Sequence, residues 1–271
     1  MITTCIVLYK NDKNELLKAI NSLLNSKLNE AFTLYLIDNS PTDELKDIVQ
    51  SENVVYISNP TNPGFGAAHN IAIQKSIESN AKYHFVVNPD VYFKPHVMQT
   101  MIDYMNANKF VGMMMPQILN SDGSIQNLPK LLPSPYSVLM RKLKKPKFIY
   151  DKFIERYELR NIDKTMIYNA PILSGCFTLF RIDALKEIGF YDDRFFMYFE
   201  DWDLSRRVHQ KYKTIYFPKV SVHHGYESGA NKSKRLFKIF VNSAKVYFNK
   251  WGWIFDKERV LINRKTLEQF K

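Results

Sequence analysis

Tyr83-His84-Phe85-Val86-Val87-Asn88-Pro89-Asp90 is a short β-prone run that stops in three turn-forming residues. On either side, Ala67 to Ile77 and Pro95 to Met105 carry apolar residues at helical spacing. The alternation reaches back to the start of the chain. Thr3 to Tyr9 reads as a strand, and Leu16, Leu17, Ile20, Leu23 and Leu24 as one face of a helix. Phe32 to Ile37, Val54 to Ile57 and Val111 to Met115 add three strands, and Ser40 with Pro41 and Asp43 predicts a helix cap and first turn. Strands alternating with helices through short connections predict an α/β domain with a mostly parallel central sheet flanked by helices. Ligands of such sheets sit beyond the carboxyl ends of strands, which selects Tyr9-Lys10, Asp38-Asn39 and Asn88-Pro89-Asp90.

After Pro116 the pattern changes. Gln117 to Asn127 predicts a hairpin around Asp122-Gly123, and the proline- and lysine-rich stretch from Pro129 to Asp163 predicts a lid or insertion loop. Regular structure resumes with Ile172 to Phe180, a helix from Asp183 and a break at Gly189, and another helix from about Glu200 to Tyr212. Strands follow at Thr214 to Phe217 and Val220 to His224. Leu236, Phe237, Phe240, Ala244, Tyr247, Phe248 and Trp251 then recur at helical spacing, with Arg235, Lys238 and Lys245 on the other face. Such a helix lies on an anionic membrane surface or packs on its own domain or a second subunit; the packed reading is favoured slightly.

A net charge of +11 selects anionic partners: phospholipid head groups, phosphorylated substrates or nucleic acid. No nucleic-acid module accompanies it, so nucleic acid is not expected. Cys5 and Cys176 lie in separate apolar runs and offer neither zinc spacing nor a disulfide framework. Met1 leads straight into a strand, and no run of about 18 apolar residues exists, so a reducing cytoplasmic setting is expected.

Five constellations carry chemistry, each with a plainer alternative. Asp38 ends an apolar strand, where a carboxylate can hold a pyrimidine imide N–H or simply close a turn. Asn62-Pro63-Gly64-Phe65-Gly66 opens the helix that contains Asn70, a backbone that suits phosphate or an ordinary turn. Asn88 and Asp90 suit a divalent cation bound with a diphosphate, or a solvent-facing turn. Glu200, Asp201 and Asp203 favour a helix dipole, yet they follow five aromatic or Met residues, Phe195 to Phe199, whose desolvation would suit a general base. His223 and His224 end a strand-like run as candidate Mn²⁺ or Zn²⁺ ligands.

In this order and spacing the segments resemble family-2 glycosyltransferases of the GT-A fold, most closely the rhamnosyltransferase-like branch. The resemblance rests on Val7-Leu8-Tyr9, Ile37-Asp38-Asn39-Ser40, Asn62-Pro63-Gly64-Phe65-Gly66 with Asn70, and Asn88-Pro89-Asp90. It continues through Ser174-Gly175-Cys176-Phe177, Gly189-Phe190-Tyr191-Asp192, the run Phe195 to Leu204 with Arg207, and Val222-His223-His224-Gly225. It implies a GT-A domain over 1–228, split into a nucleotide-binding half (1–115) and an acceptor half (116–228), followed by a basic helical segment over 229–271. The implied roles put Tyr9 and Asp38 at the base of a dTDP- or UDP-linked sugar, with Asn62, Gly64, Gly66, Asn88 and Asp90 completing the donor site. Asp90 and His223 would hold Mn²⁺ or Mg²⁺, His224 being the alternative. Asp201 would be the catalytic base, supported by Gly175, Glu200, Trp202 and Asp203 on the acceptor side. The acceptor would be a glycan or lipid-linked glycan, placing the enzyme in the cytoplasm or peripherally on the inner membrane face, with self-association left open. A sugar nucleotidyltransferase is the weaker rival, because Tyr9-Lys10-Asn11-Asp12 replaces its glycine-rich loop. A non-catalytic nucleotide- or membrane-binding subunit is the other.

Overall fold

The computed structural model describes residues 1–225 and 233–271. Four parallel strands form one side of the sheet: β1 (Ile2–Leu8), β2 (Phe32–Asp38), β3 (Val54–Ser58) and β4 (Tyr83–Val87), in the order β3-β2-β1-β4. Between them run α1 (Lys13–Leu24) and α2 (Phe65–Glu78). Asp12 caps α1 by accepting the Asn14 and Glu15 N–H groups, and Leu16, Ala19, Ile20 and Leu23 bury its inner face. The helix expected after Ser40 does not form. Ser40 instead donates its N–H to Asp38 (2.8 Å) and accepts the Lys10 N–H on its hydroxyl (2.8 Å), tying the ends of β1 and β2 together.

Beyond β4 the sheet is mixed and continues β8-β6-β9-β5. These are β5 (Val91–Phe93), β6 (Val111–Leu119), β8 (Phe177–Arg181) and β9 (Lys213–His224), with the short β7 (Tyr168–Asn169) also on β9. Only β6 and β9 pair in parallel here; β4 with β8, β6 with β8, and β9 with both β5 and β7 are antiparallel. The two strands expected at 214–224 are one. Pairing jumps from Pro116–Phe217 to Gln117–Ser221, so Pro218, which lacks a donor, falls where no ladder bond is required. Leu119 bridges Ile125 across the Asp122-Gly123 turn, as a hairpin there requires.

The region 129–163 is a helical hairpin rather than a loop: α4 (Pro135–Leu143) and α5 (Lys147–Tyr157). Ser134 and Ser137 make a reciprocal capping box with Pro135 in the first turn, a start signal hidden inside a proline-rich stretch. The remaining helices are α3 (Val97–Ala107), α6 (Ile182–Ile188), α7 (Glu200–Lys211), α8 (Lys234–Trp251) and α9 (Lys257–Glu268). The boundary expected at 228/229 lies outside the described residues.

Both C-terminal helices are docked on the domain. The apolar stripe of α8 packs on Phe199, whose ring centroid lies 5.3 Å from Phe240 and 5.5 Å from Tyr247. The buried Arg206 of α7 binds Asp256 through two nitrogens (2.7 and 2.9 Å), reaches Glu258 (2.8 Å) and stacks on Trp251. Asn263 of α9 exchanges hydrogen bonds with the Leu132 backbone (2.7 and 3.0 Å).

Candidate active site

A cleft of about 1370 Å³ opens beyond the carboxyl ends of β1, β2 and β4, where the parallel half of the sheet predicts a ligand. That volume exceeds what a single small ligand needs and suits a nucleotide-sugar together with an acceptor end. Tyr9, Asn39, Asn62, Gly64, Asn88 and Asp90 line it. Tyr9 is half exposed just past β1, available for stacking on a base. Asp38 is set back: it is buried, and its carboxylate accepts the Ser40 N–H and the Tyr56 hydroxyl (2.8 Å each). It shapes the floor, while Asn39, held between Asn59 and Asn62, presents the wall.

The two glycines have packing reasons. Gly64 has φ +107°, and an added Cβ would lie 2.2 Å from the Phe196 carbonyl oxygen, which accepts the first free N–H of α2, from Phe65 (2.9 Å). Gly66 is buried, and its Cβ would meet Tyr191 at 2.8 Å, so it does not face the cleft as a donor-site residue would. Asn70 completes the junction, receiving the Tyr191 N–H (3.0 Å) and donating to the Tyr191 carbonyl and to Asp193. The motif therefore clamps the segment before α7 onto α2.

Asp90 follows β4, and the β5–β9 pairing delivers a histidine to it. Val91 pairs with His224 and Tyr92 with His223, so the strand's alternation sends the two imidazoles to opposite faces. His224 Nε2 stands 3.5 Å from Asp90 Oδ1 and 3.2 Å from the Asn88 amide. His223, the expected metal ligand, stacks on Tyr92 with ring centroids 4.9 Å apart, which leaves His224 as the histidine at Asp90. Burial pushes the His224 imidazole below its usual range, with Asp90 opposing, which favours the neutral ring that a metal ligand requires.

Among the described residues no group of three or more His, Cys, Asp and Glu side chains is placed to hold a metal. One carboxylate with one imidazole still fits Mg²⁺ or Mn²⁺, because such ions complete their shells with water and substrate phosphates. Charge points the same way. The described lining holds Glu15, Asp90 and Asp122 against the single cation Arg235, a field that repels a diphosphate until a divalent cation is added.

The third component stands at the start of α7. Tyr198 and Phe199 both adopt left-handed backbone (φ +70° and +68°), a strained pair held by burial of Phe199 in an aromatic cluster. The turn releases Asp201 toward Gly175, whose N–H donates to Oδ2 (3.2 Å) while the Trp202 N–H donates to Oδ1 (2.9 Å). A Cβ on Gly175 would lie 3.4 Å from Asp201 Cβ and 3.6 Å from Phe65, a residue of the cleft wall, so Gly175 stands between Phe65 and Asp201, which is not itself a lining residue. Burial raises the Asp201 carboxyl, with the Gly175 N–H and Lys130 pulling it back. Glu200 is buried and raised in the same direction, by desolvation and then by Asp201, and its Oε2 has no hydrogen-bond partner among the described residues. Asp203 is fully buried and salt-bridged to Arg207 (2.8 Å) and Lys250 (2.8 Å), with the Trp251 N–H donating to it (2.8 Å). Trp202 packs against Phe199, Tyr247 and Arg141, away from the cleft lining.

Sequence reasoning missed Lys130, buried behind Asp201 with its ammonium pushed down to about 8 by desolvation. It lies in the stretch read as a loop, where nothing marks one lysine as buried. The partners of Asp203 were missed for a similar reason: Lys250 and Trp251 are almost fifty residues away.

Solved structures share this architecture. GalNAc-T7 with UDP, GalNAc and Mn²⁺ overlays 91% of the chain with TM-score 0.64 and 16% identity. The chain spans about half (48%) of that protein. Staphylococcus aureus TarS 1-349 in complex with UDP overlays 98% of the chain and 71% of its own, with TM-score 0.57 and 12% identity. At such identities the likeness establishes the GT-A fold. Among sequence relatives, a Mycobacterium tuberculosis N-acetylglucosaminyl-diphospho-decaprenol L-rhamnosyltransferase is 26% identical over 219 residues, 75% of this chain and 70% of its own. Rhamnosyltransferase WbbL of Escherichia coli is 23% identical across 96% of this chain and 95% of its own. The glycosyl transferase family 2 profile matches residues 4–189, well over half of the chain, and the chain belongs to that family.

Proposed function

We propose that this chain is an inverting, metal-dependent hexosyltransferase that moves a sugar, with rhamnose the first candidate, from a dTDP- or UDP-linked donor to a hydroxyl of a lipid-linked glycan. The observation that carries the reading is Asp201: a carboxylate raised by burial, fixed by two N–H groups, and set across Gly175 from Phe65 of the cleft that also holds Asp90 and His224. The two named rhamnosyltransferases support the sugar, and the diphospho-decaprenol substrate of one of them supports the lipid-linked acceptor.

In this reading Tyr9 stacks on the base, and Asn39 and Asn62 line its subsite. Asp90 and His224 would hold the divalent cation, which when bound supplies Lewis-acid neutralisation of the diphosphate. Asp201 accepts the proton of the acceptor hydroxyl as its oxygen bonds to the anomeric carbon. The bond from that carbon to the diphosphate oxygen breaks on the opposite side, its electron pair leaves with the nucleoside diphosphate, and the configuration inverts. A base with raised proton affinity suits this step, since a carboxylate that titrates nearer the operating pH is the more effective general base. The setting is the cytoplasmic face of a membrane; no helix among the described residues is long and apolar enough to cross one.

The test is nucleoside diphosphate release from a panel of nucleotide-sugars, with Mg²⁺ or Mn²⁺ and a lipid-diphosphate-sugar acceptor. Acceptor-dependent release with dTDP-rhamnose is expected. Release with none of the donors would end the transferase reading.

A further inference from the structure

Most of the apolar stripe of α8, from Phe240 to Trp251, packs on the domain, while a different surface remains bare. Residues 143–149, the tip of the α4–α5 hairpin, are exposed without interruption: Leu143, Lys144, Lys145, Pro146, Lys147, Phe148 and Ile149. Leu143 is 57% and Phe148 76% exposed. Leu139 and Tyr136 extend the strip down α4 at positions that share a helix face with Leu143. Exposed apolar side chains in this number are not the normal dressing of a surface helix. The charge is as one-sided as the exposure: from Arg141 to Lys147 there are five cations and no acid.

The base of the tip touches a helix that lines the cleft. Lys142 Nζ lies 5.0 Å from the ring centroid of Phe237 and 5.1 Å from that of Phe240, both on α8. On the same helix Arg235, Leu236 and Ile239 line the cleft. Phe237 is itself 49% exposed, so it extends the apolar strip toward the cleft mouth. At the other end of α4, Arg259 donates to the carbonyls of Pro133 and Ile254, placing the exposed Ile254-Phe255 loop beside the helix start.

We propose that the α4–α5 tip, with Phe237, docks on an anionic lipid bilayer, inserting Leu143 and Phe148 among the head groups while Lys144, Lys145 and Lys147 bind lipid phosphates. Apolar side chains alternating with lysines and lacking acids match the two layers of such an interface, apolar below and anionic above. A protein partner of matching shape would need an acidic rim around an apolar pocket; a bilayer supplies both everywhere. Docking there would turn the cleft toward the membrane, within reach of an acceptor sugar carried on a lipid diphosphate. That purpose, though not the docking itself, rests on the acceptor reading above.

The experiment is vesicle sedimentation of the full chain with phosphatidylcholine alone or mixed with equal parts of phosphatidylglycerol, at low and high salt. Binding to the mixed vesicles only, weakened by salt, is expected. Leu143→Ser with Phe148→Ser, and separately Lys144→Glu with Lys145→Glu and Lys147→Glu, should each weaken binding at least about tenfold. The serine variant should keep wild-type transfer to a water-soluble acceptor, because neither residue lines the cleft. Failure of the wild-type chain to bind mixed vesicles at low salt overturns the proposal. So does equal binding by both variants, or a dimer in sedimentation equilibrium that Phe148→Ser dissociates without any vesicle binding. A chain that binds vesicles through these residues yet transfers no sugar would uphold the docking surface and remove the transferase reading.

Discussion

The turn at 88–90 and the turn at 198–203 both deliver carboxylates to one end of the sheet, under opposite conditions. Asp90 is partly solvent-accessible, beside the His224 imidazole and the Asn88 amide, in a cleft whose described lining has surplus negative charge. In the reading proposed above, a divalent cation would complete it from outside. The second turn is sealed by aromatic rings, and its three acids meet three different fates. Asp203 is neutralised internally by Arg207 and Lys250, Asp201 is held by two N–H groups, and Glu200 has an oxygen without a partner among the described residues. Neighbouring acids at the start of one helix thus meet different surroundings: ion pairs for Asp203, two N–H groups for Asp201, and burial that raises the proton affinity of Glu200.

The contrast breaks first at Asp201. Asp201→Asn keeps the size of the side chain and one acceptor oxygen for the two backbone N–H groups, but it cannot accept a proton, so transfer should fall by about two orders of magnitude or more while nucleotide binding persists. Single-turnover kinetics beside nucleotide titration reads both, and full transfer activity would dismiss Asp201 as the base. The next largest effect is at Asp203. Asp203→Ala leaves Lys250 and Arg207 without their buried partner, a loss of about 3–5 kcal/mol in thermal or denaturant unfolding. Specific activity per folded molecule should hold, and an unchanged midpoint would show that Asp203 does not join α7 to α8.

A finer comparison separates two adjacent histidines. His224→Ala should raise the Mg²⁺ or Mn²⁺ concentration needed for half activity by about tenfold or more, as Asp90→Asn should. His223→Ala, which removes a stacking partner of Tyr92, should change it by no more than about twofold. The reverse ranking would return the ligand role to His223.

Which of these features could be read from sequence follows from the range of the interactions. The β-α alternation to Met115 is local, and so were the strands and most helices derived from it. The acids and histidines were legible as types at strand ends and helix starts. Choosing His224 over His223 required the register of β9 on β5, which a two-residue ambiguity hides. The α4–α5 hairpin was lost because Pro146 and a run of lysines read as loop, although the capping pair Ser134 and Ser137 was present. The helix expected at Ser40 failed for the converse reason. Its signals are sound in isolation, but the Ser40 backbone and hydroxyl are engaged by Asp38 and Lys10. The roles of Gly64 and Gly66 depended on Phe196 and Tyr191, more than a hundred residues away.

The smallest effect belongs to Glu200, and it carries a sign. Burial, aided by Asp201, lifts its folded-state proton affinity above that of the unfolded chain, whose glutamate titrates near about 4.3. Above that pH the unfolded chain has released a proton that the folded chain still holds. Stability contributed by this group is therefore fully present at low pH, and is lost as pH rises toward the folded-state value. The slope cannot exceed about 1.4 kcal/mol per pH unit for one proton. Glu200→Gln keeps the size of the side chain and removes the proton, so it should equal the wild type near pH 4 and become the more stable protein as pH rises. Urea unfolding across that range measures it. Asp201 is raised in the same direction, so the acid limb of kcat/KM should also lie above the usual carboxylate range in both proteins. Parallel stability curves would mean that Glu200 is already ionised in the folded chain, and that the contrast between the two turns does not extend to its protonation.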